Sequence, residues 1–484
     1  MSILAAMKNS LLFKTWIALP EVHCRQIAKA VRSPLFNQRK DVILLLDFLE
    51  KRGVQSLSKT NNHLAKEAAF RFVYGAQEQF EDGKIRHLMA HLMDIIRQYL
   101  AWQEWRNDSN QIHLHLCRSL GKMGLNDHWE KELQRAKNHL EKASLRNDDY
   151  YFQQFLIERE IWELGRQKYR SGIDNVATIN HAFAVFVAVH SLRQGCTLLA
   201  QKNLTNVSAM IPYLSETLRL IAEGHFEDIA VVATWHASYW ALKAPDQEEH
   251  FTQLKGLLEA NAAFFSNTDL RDLYILAINV CIRRINAADK KYRQEAFDLY
   301  RSGLSRGVFL ENGYLSKVTY RNVLNIAVSV GELDWALDYL NTFKAYLPPK
   351  DQENIFRYNL ATYFFRIREY DQAMTLLPFV EMRDMLENFD VRRMMVRIYY
   401  EQGEMQALES LLDSFEAYLR RHREGGYHRE MYHNFVRFLK KIIALPHRDA
   451  IAWQKLQAEI SQTKYLAERE WLLSVKGGRN GGLP

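Results

Sequence analysis

Proline is scarce in this chain, with nine residues among 484. Soluble proteins usually carry ~5%. A proline ring removes a backbone donor and clashes with the preceding helical turn, so its scarcity predicts a chain that is helical almost throughout. Cysteine is scarce too. Cys24, Cys117, Cys196 and Cys281 lie far apart with no CxxC pair. That excludes zinc-type spacing and a disulfide-dense secreted scaffold, and predicts a reducing, cytoplasmic setting. Strand signals are missing: no two alternating runs joined by Asn-Gly or Asp-Gly are read. No phosphate-cradling GxxxxGK[ST], no GxGxxG after a strand and no GxSxG elbow occurs, so no cofactor and no catalytic centre is expected. A run of about 18 uncharged apolar residues is also lacking. The nearest, Ile179–Leu192, contains His181 and His190 and reads as a buried helix rather than a membrane span. Lys8, Asn9, Ser10 and Lys14 interrupt the apolar N-terminus, which reads as a first amphipathic helix rather than a leader.

What is present points the same way. The 48% apolar and 25% charged content suits a folded soluble protein. At 484 residues the chain exceeds the size at which one core stops growing, a limit that stacked repeats escape. Between Lys84 and Arg106, the residues Ile85, Leu88, Leu92, Ile95, Ile96, Tyr99 and Trp102 recur at three- and four-residue steps, which marks one buried helical stripe. Leu64, Ala68, Phe72 and Ala76 suggest a second, capped by Thr60 or Asn61. About 22 helices of ordinary length follow from such patterns. The fold class is therefore all-α. The net charge of +7 is mild for this length and does not select a nucleic-acid or lipid partner.

Three stretches between Ser316 and Gly403 repeat one unit. They are YRNVLNIAVSVGELDWALDYLNTFKAYLP, YNLATYFFRIREYDQAMTLLPFV and MMVRIYYEQGEMQALESLLDSF. Each has a helix, a short break and a second helix. Gly331 falls at the first break, Ala336 follows five residues later, and Pro348 closes the unit. Tyr370 and Ala373 take the corresponding places in the second copy, and Gly403 and Ala407 in the third, there one residue out of register, so the small residues are 37 and 34 apart. This pattern resembles the tetratricopeptide repeat, a 34-residue helix–turn–helix unit. The resemblance covers the C-terminal half only, and Leu324 stands where the family usually has a small residue. Pentatricopeptide repeats share much of the pattern.

The resemblance implies a right-handed α-solenoid of antiparallel helix pairs. It suggests an irregular hairpin array over 1–265, repeats over 266–424, closing helices over 425–475 and a disordered tail over 476–484. In such arrays the first helices line a concave groove that holds a peptide. Carried over by position, that groove would present Arg321, Asn325, Tyr358, Arg366, Arg393 and Arg397. Arginines there would clamp a carboxylate or phosphate. The expected function is a non-catalytic scaffold for a protein or peptide partner with acidic character. RNA binding by a pentatricopeptide-like array is the alternative and is not favoured. A helical enzyme with an unrecognised site stands third. No metal is expected. His87 and His91 are four apart but lack the glutamate of a zinc peptidase, and His113 and His115 cannot share a helical face. His422, His428 and His433 read as a surface cluster. Arg420, Arg421, His422 and Arg423 suit the carbonyl end of their helix. Glu158 and Glu160 read as helix surface, and Trp102, Trp105, Trp162, Trp235 and Trp240 as core.

Overall fold

A computed structural model describes residues 10–51, 66–168, 174–201, 210–380, 384–422, 426–445 and 450–475. Lys8, Asn9, Thr60, Asn61, Leu64, Arg423 and the 476–484 tail, named above, lie outside these residues. Within them the chain forms 23 α-helices and one two-stranded hairpin. It divides into two units, residues 1–144 with 148–186, and residues 145–147 with 187–484. Phe265/Ser266 lies inside the second unit, where the Ser266 hydroxyl caps a helix by accepting from the Asp269 amide.

The first unit holds α1 (Leu11–Ala18), α2 (Glu21–Arg32), α3 (Lys40–Lys51), α4 (Lys66–Tyr74), α5 (Asp82–Asn107), α6 (Ser109–Lys122), α7 (Asn126–Glu141), α8 (Asp148–Lys168) and the start of α9 (Val176–Gln201). The α5 stripe packs as expected from Ile85 to Tyr99 against Phe13, Trp16, Leu46 and Phe70. In α4 the buried pair is Ala69 and Phe70, whereas Phe72 is exposed. The expected face is thus displaced, and Ala76 lies beyond the end of α4 at Tyr74. Glu158 and Glu160 are buried rather than surface, neutralised by Lys137 and Arg118 respectively. Trp102 and Trp105 are over a third exposed rather than core, and the Arg106 guanidinium covers the Trp102 ring. Helix α9 is long and apolar enough to cross a membrane by length and composition, and 44% of its apolar window is buried within the protein.

The second unit continues with α10 (Leu214–Ala222), α11 (Ala230–Lys243), α12 (Glu248–Asn261), α13 (Asn267–Asn286), α14 (Lys291–Ser305), α15 (Lys317–Val330), α16 (Leu333–Phe343), α17 (Gln352–Arg366), α18 (Tyr370–Leu376), α19 (Met385–Glu401), α20 (Met405–Arg421), α21 (Gly426–Ala444), α22 (Ala450–Gln462) and α23 (Arg469–Ser474). Helices pack as consecutive hairpins, α11 with α12, α13 with α14, α15 with α16, α17 with α18 and α19 with α20. The first helices α15, α17, α19 and α21 also pack each on the next. Helix α18 stops at Leu376, because Pro378 forces a 3-10 turn over Leu377–Phe379.

The hairpin turns share one geometry. Gly331 (φ 89°), Arg368 (φ 65°) and Gly403 (φ 76°) adopt the left-handed conformation. After each comes a glutamate whose amide closes a long turn, Glu332 to Ala327 O, Glu369 to Phe364 O and Glu404 to Tyr399 O, at 3.0, 2.9 and 2.9 Å. This is a Schellman closure, which satisfies the last carbonyls of the first helix. Five residues past the left-handed residue the chain is fully buried, at Ala336, Ala373 and Leu408. The third copy therefore seats Leu408 where Ala407 was expected. Ala407 is only half-buried, since the turn sets the register from Gly403. The same closure joins α6 to α7, where Gly124 is left-handed and the Leu125 amide reaches Leu120 O at 3.0 Å. There the buried residue five on is Trp129, and the room comes from Gly121. A Cβ on Gly121 would lie 2.8 Å from the indole.

The expectation of no strand fails at one place. Leu310–Glu311 pairs antiparallel with Tyr314–Leu315 across Asn312–Gly313. Both turn residues have positive φ (51° and 81°), as the primed hairpin turns require. With two residues per strand, no alternation is visible in the sequence. The hairpin leads Phe309 onto Gly303, where a Cβ would lie 2.4 Å from the ring. Gly303→Ala is expected to lower stability by about 1–3 kcal/mol through overpacking. Urea unfolding at unchanged m-value checks this.

Candidate functional site

The six residues placed by the repeat pattern meet round one cavity of about 830 Å³ in the second unit. Each is brought there by helical spacing. On α15, Arg321 and Asn325 are one turn apart. On α17, Tyr358, Thr362 and Arg366 follow the same four-residue step. On α19, Asp390, Arg393 and Arg397 stand at steps of three and four. The α21 residues His428 and Tyr432 and the distant Glu468 complete the wall. His428 thus belongs to the cavity rather than to a surface cluster. His87 and His91 are exposed, and among the described residues no group of three or more His, Cys, Asp or Glu could hold a metal.

The wall is a charged network with two parts. In the first, Arg393 Nε donates to Asp390 Oδ1 at 2.8 Å and its Nη1 to Glu468, while Arg397 Nη1 donates to Glu468 Oε2 at 2.8 Å. Both guanidiniums also lie over the Phe365 ring, at 5.2 and 5.3 Å. The Tyr358 hydroxyl donates to Asp390 Oδ2 at 2.7 Å. Burial opposes the Asp390 charge, but Arg393 beside it and the Tyr358 hydroxyl hold the carboxyl below its ordinary value. Burial likewise opposes the Arg393 charge, and Asp390 and Glu468 override it, holding the guanidinium above its ordinary value. Burial, with Asp390 adjacent, pushes the Tyr358 phenol up. Arg397 Nε and Asn325 Oδ1 are buried without a hydrogen-bond partner among the described residues. Arg397 Nε lies 3.5 Å from Glu401 Oε1, close enough for charge attraction but long for a hydrogen bond.

Glu468 reaches this network from 75 residues beyond Arg393. It sits in the left-handed region (φ 55°, ψ 33°), where a side chain costs roughly 1 kcal/mol. The turn that carries it is pinned. Arg469 donates to the carbonyls of Ile460 and Ser461 at 2.6 Å, and Asn434 Nδ2 to Tyr465 O at 2.9 Å.

The second part is different. Arg321, Arg366 and Arg368 make no ion pair or hydrogen bond among the described residues, while Lys317 opposite is held by Glu387 at 3.1 Å. Arg366 is exposed, yet surrounding protein and then the Arg393 charge push its guanidinium down, against the opposing pull of Asp390, Glu468 and Tyr358. Arg368 holds the left-handed turn position that the neighbouring hairpins give to Gly331 and Gly403. In all, six cationic side chains face four carboxylates in the lining, an excess of two positive charges.

Of the residues expected to meet a partner, Arg393, Arg397 and Tyr358 are thus engaged inside the chain, and Arg321 and Arg366 are not. Arg368 and Glu468 were not read from the sequence. Arg368 could have been found by aligning the three turns, since it replaces a glycine. Nothing local marks Glu468. Comparison of the chain with protein-family models, with curated proteins and with solved structures gives no match.

Proposed function

We propose that this protein is a non-catalytic interaction scaffold, a tetratricopeptide-like α-solenoid whose first helices hold an acidic partner segment. The observation that carries the reading is the cavity of about 830 Å³ between those helices, in which Arg321, Arg366 and Arg368 make no ion pair or hydrogen bond among the described residues, although Asp390 attracts Arg321 and Arg366 at longer range. Arg366 and Arg368 are exposed and make no ion pair among the described residues, so an anion that enters can gain charge-assisted hydrogen bonds without displacing an internal partner. The cavity is also larger than one ionic group needs, which suits a segment of chain. A reducing, cytoplasmic setting accords with four free thiols, of which Cys117, Cys196 and Cys281 are buried.

The test is fluorescence anisotropy of a labelled 12-residue peptide rich in Glu and Asp, against its Gln/Asn counterpart. The acidic peptide is expected to bind at least tenfold more tightly at physiological salt. Equal affinities would refute the reading. An oligoribonucleotide run beside them addresses RNA binding, which would show a steep loss of affinity as salt rises.

A further inference from the structure

We infer that the unpaired arginines of the cavity, Arg321, Arg366 and Arg368, take a phosphomonoester dianion carried on a serine or threonine of the partner segment. The inference rests on the reading of the cavity as a site for an anionic segment, and narrows the group it reads.

Three observations lead to it. The first is that the chain shows how the cavity treats a carboxylate. Glu468 already lies between Arg393 and Arg397 and accepts from both. The carboxylate subsite is therefore filled from within, and what stays open is Arg321, Arg366 and Arg368. The second is the charge excess of two in the lining. One carboxylate would balance half of it. A phosphorylated side chain carries about −1.5 to −2 charge and three acceptor oxygens at pH 7, which answers both the excess and the number of open guanidiniums. The third is Arg368 itself. Its φ of 65° is a conformation that glycine adopts freely, and the equivalent turns use Gly331 and Gly403. An arginine kept there, exposed and with no ion pair or hydrogen bond among the described residues, is a strained residue lining a charged cavity. Strain of that kind collects where a side chain is used. Arg321 from α15, Arg366 from α17 and Arg368 from the turn after α17 all line the same cavity.

A free phosphate would satisfy the same donors. The volume of about 830 Å³ favours a segment, because a single phosphate fills a small part of it.

The experiment uses the full chain and four probes. These are a nine-residue peptide with a central phosphoserine, its unphosphorylated parent, the same peptide with two adjacent glutamates at the centre, and inorganic phosphate. Calorimetric titration is expected to rank the phosphoserine peptide at least fivefold above the diglutamate peptide, and above inorganic phosphate. Arg368→Gly is expected to weaken the phosphoserine peptide at least tenfold while leaving Tm unchanged or raised by roughly 1–3 °C, since glycine relieves the left-handed backbone. A merely structural role for Arg368 would give the opposite pairing, lower Tm with unchanged affinity. Arg366→Gln serves as a second variant with the same expected loss. If the diglutamate peptide binds as well as the phosphoserine peptide, the inference fails and the acidic-segment reading stands. Inorganic phosphate binding as tightly as the phosphoserine peptide overturns the commitment to a segment. If no peptide binds, both readings fail.

Discussion

Glu468→Gln should destabilise the second unit by about 3 kcal/mol, the lower end for breaking a buried ion pair. The substitution keeps the shape of the side chain and removes only its charge. Arg393 and Arg397 would then share what Asp390 and Glu401 can offer, at 2.8 and 3.5 Å. Arg393 is mostly buried, with 14% of its side chain exposed, so water cannot take over the lost contact fully. The glutamine inherits the left-handed backbone, so that strain is unchanged, and the whole effect is electrostatic. Urea unfolding at unchanged m-value reads it. A loss under about 0.5 kcal/mol would mean that the pair behaves as a surface salt bridge.

Tyr339→Ala should cost about 3–5 kcal/mol, as large-to-small changes in a packed core do. Tyr339 is 3% exposed and sits in an aromatic column on α16. Its ring lies 5.4 Å from Trp335, 5.1 Å from Phe343 and 5.3 Å from Tyr320 of α15. Trp335 in turn meets Phe297 of the preceding hairpin edge-on at 4.9 Å. The column therefore ties two hairpins together, and its loss leaves a void that neither can fill by moving alone. The hydroxyl matters less, because its contact with Tyr320 O is 3.4 Å long. Tyr339→Phe is expected to cost under about 1 kcal/mol. Tyr320→Phe should cost more than that, since the Tyr320 hydroxyl donates to Leu340 O at 2.6 Å in a buried setting. Denaturation midpoints of the three variants check the ranking. Equal losses for Tyr339→Ala and Tyr339→Phe would contradict the role given to the ring.

Local chemistry explains which features could be read from the sequence. Ser316 and Asp384 cap the helices that follow them, and Gly331 and Gly403 stop the helices that precede them. Such signals act within one turn of chain, so helix positions were legible. So was the gathering of Arg321, Tyr358, Arg366, Arg393 and Arg397, because four-residue steps on successive first helices bring polar faces together. The misses have the opposite character. The register of the third copy depends on a left-handed turn, which moved the buried position from Ala407 to Leu408. The Asn312–Gly313 hairpin was too short to show alternation. The partner of Arg393 and Arg397 comes from Glu468, and no pattern of local residues reports a contact across 75 positions. The division of these four arginines and the tyrosine into engaged and open groups is therefore invisible in the sequence.

The central claim is that the open arginines of the cavity exist to meet an anion rather than to hold the fold. The most direct measurement is the affinity of the acidic peptide for Arg321→Gln combined with Arg366→Gln, taken with the urea midpoint of the same protein. Neither arginine makes an ion pair or hydrogen bond among the described residues, and what is lost is longer-range attraction, to Asp390 for both and to Glu468 for Arg366, so the midpoint should change little, while affinity falls at least tenfold. Unchanged affinity in a stably folded variant would contradict the account.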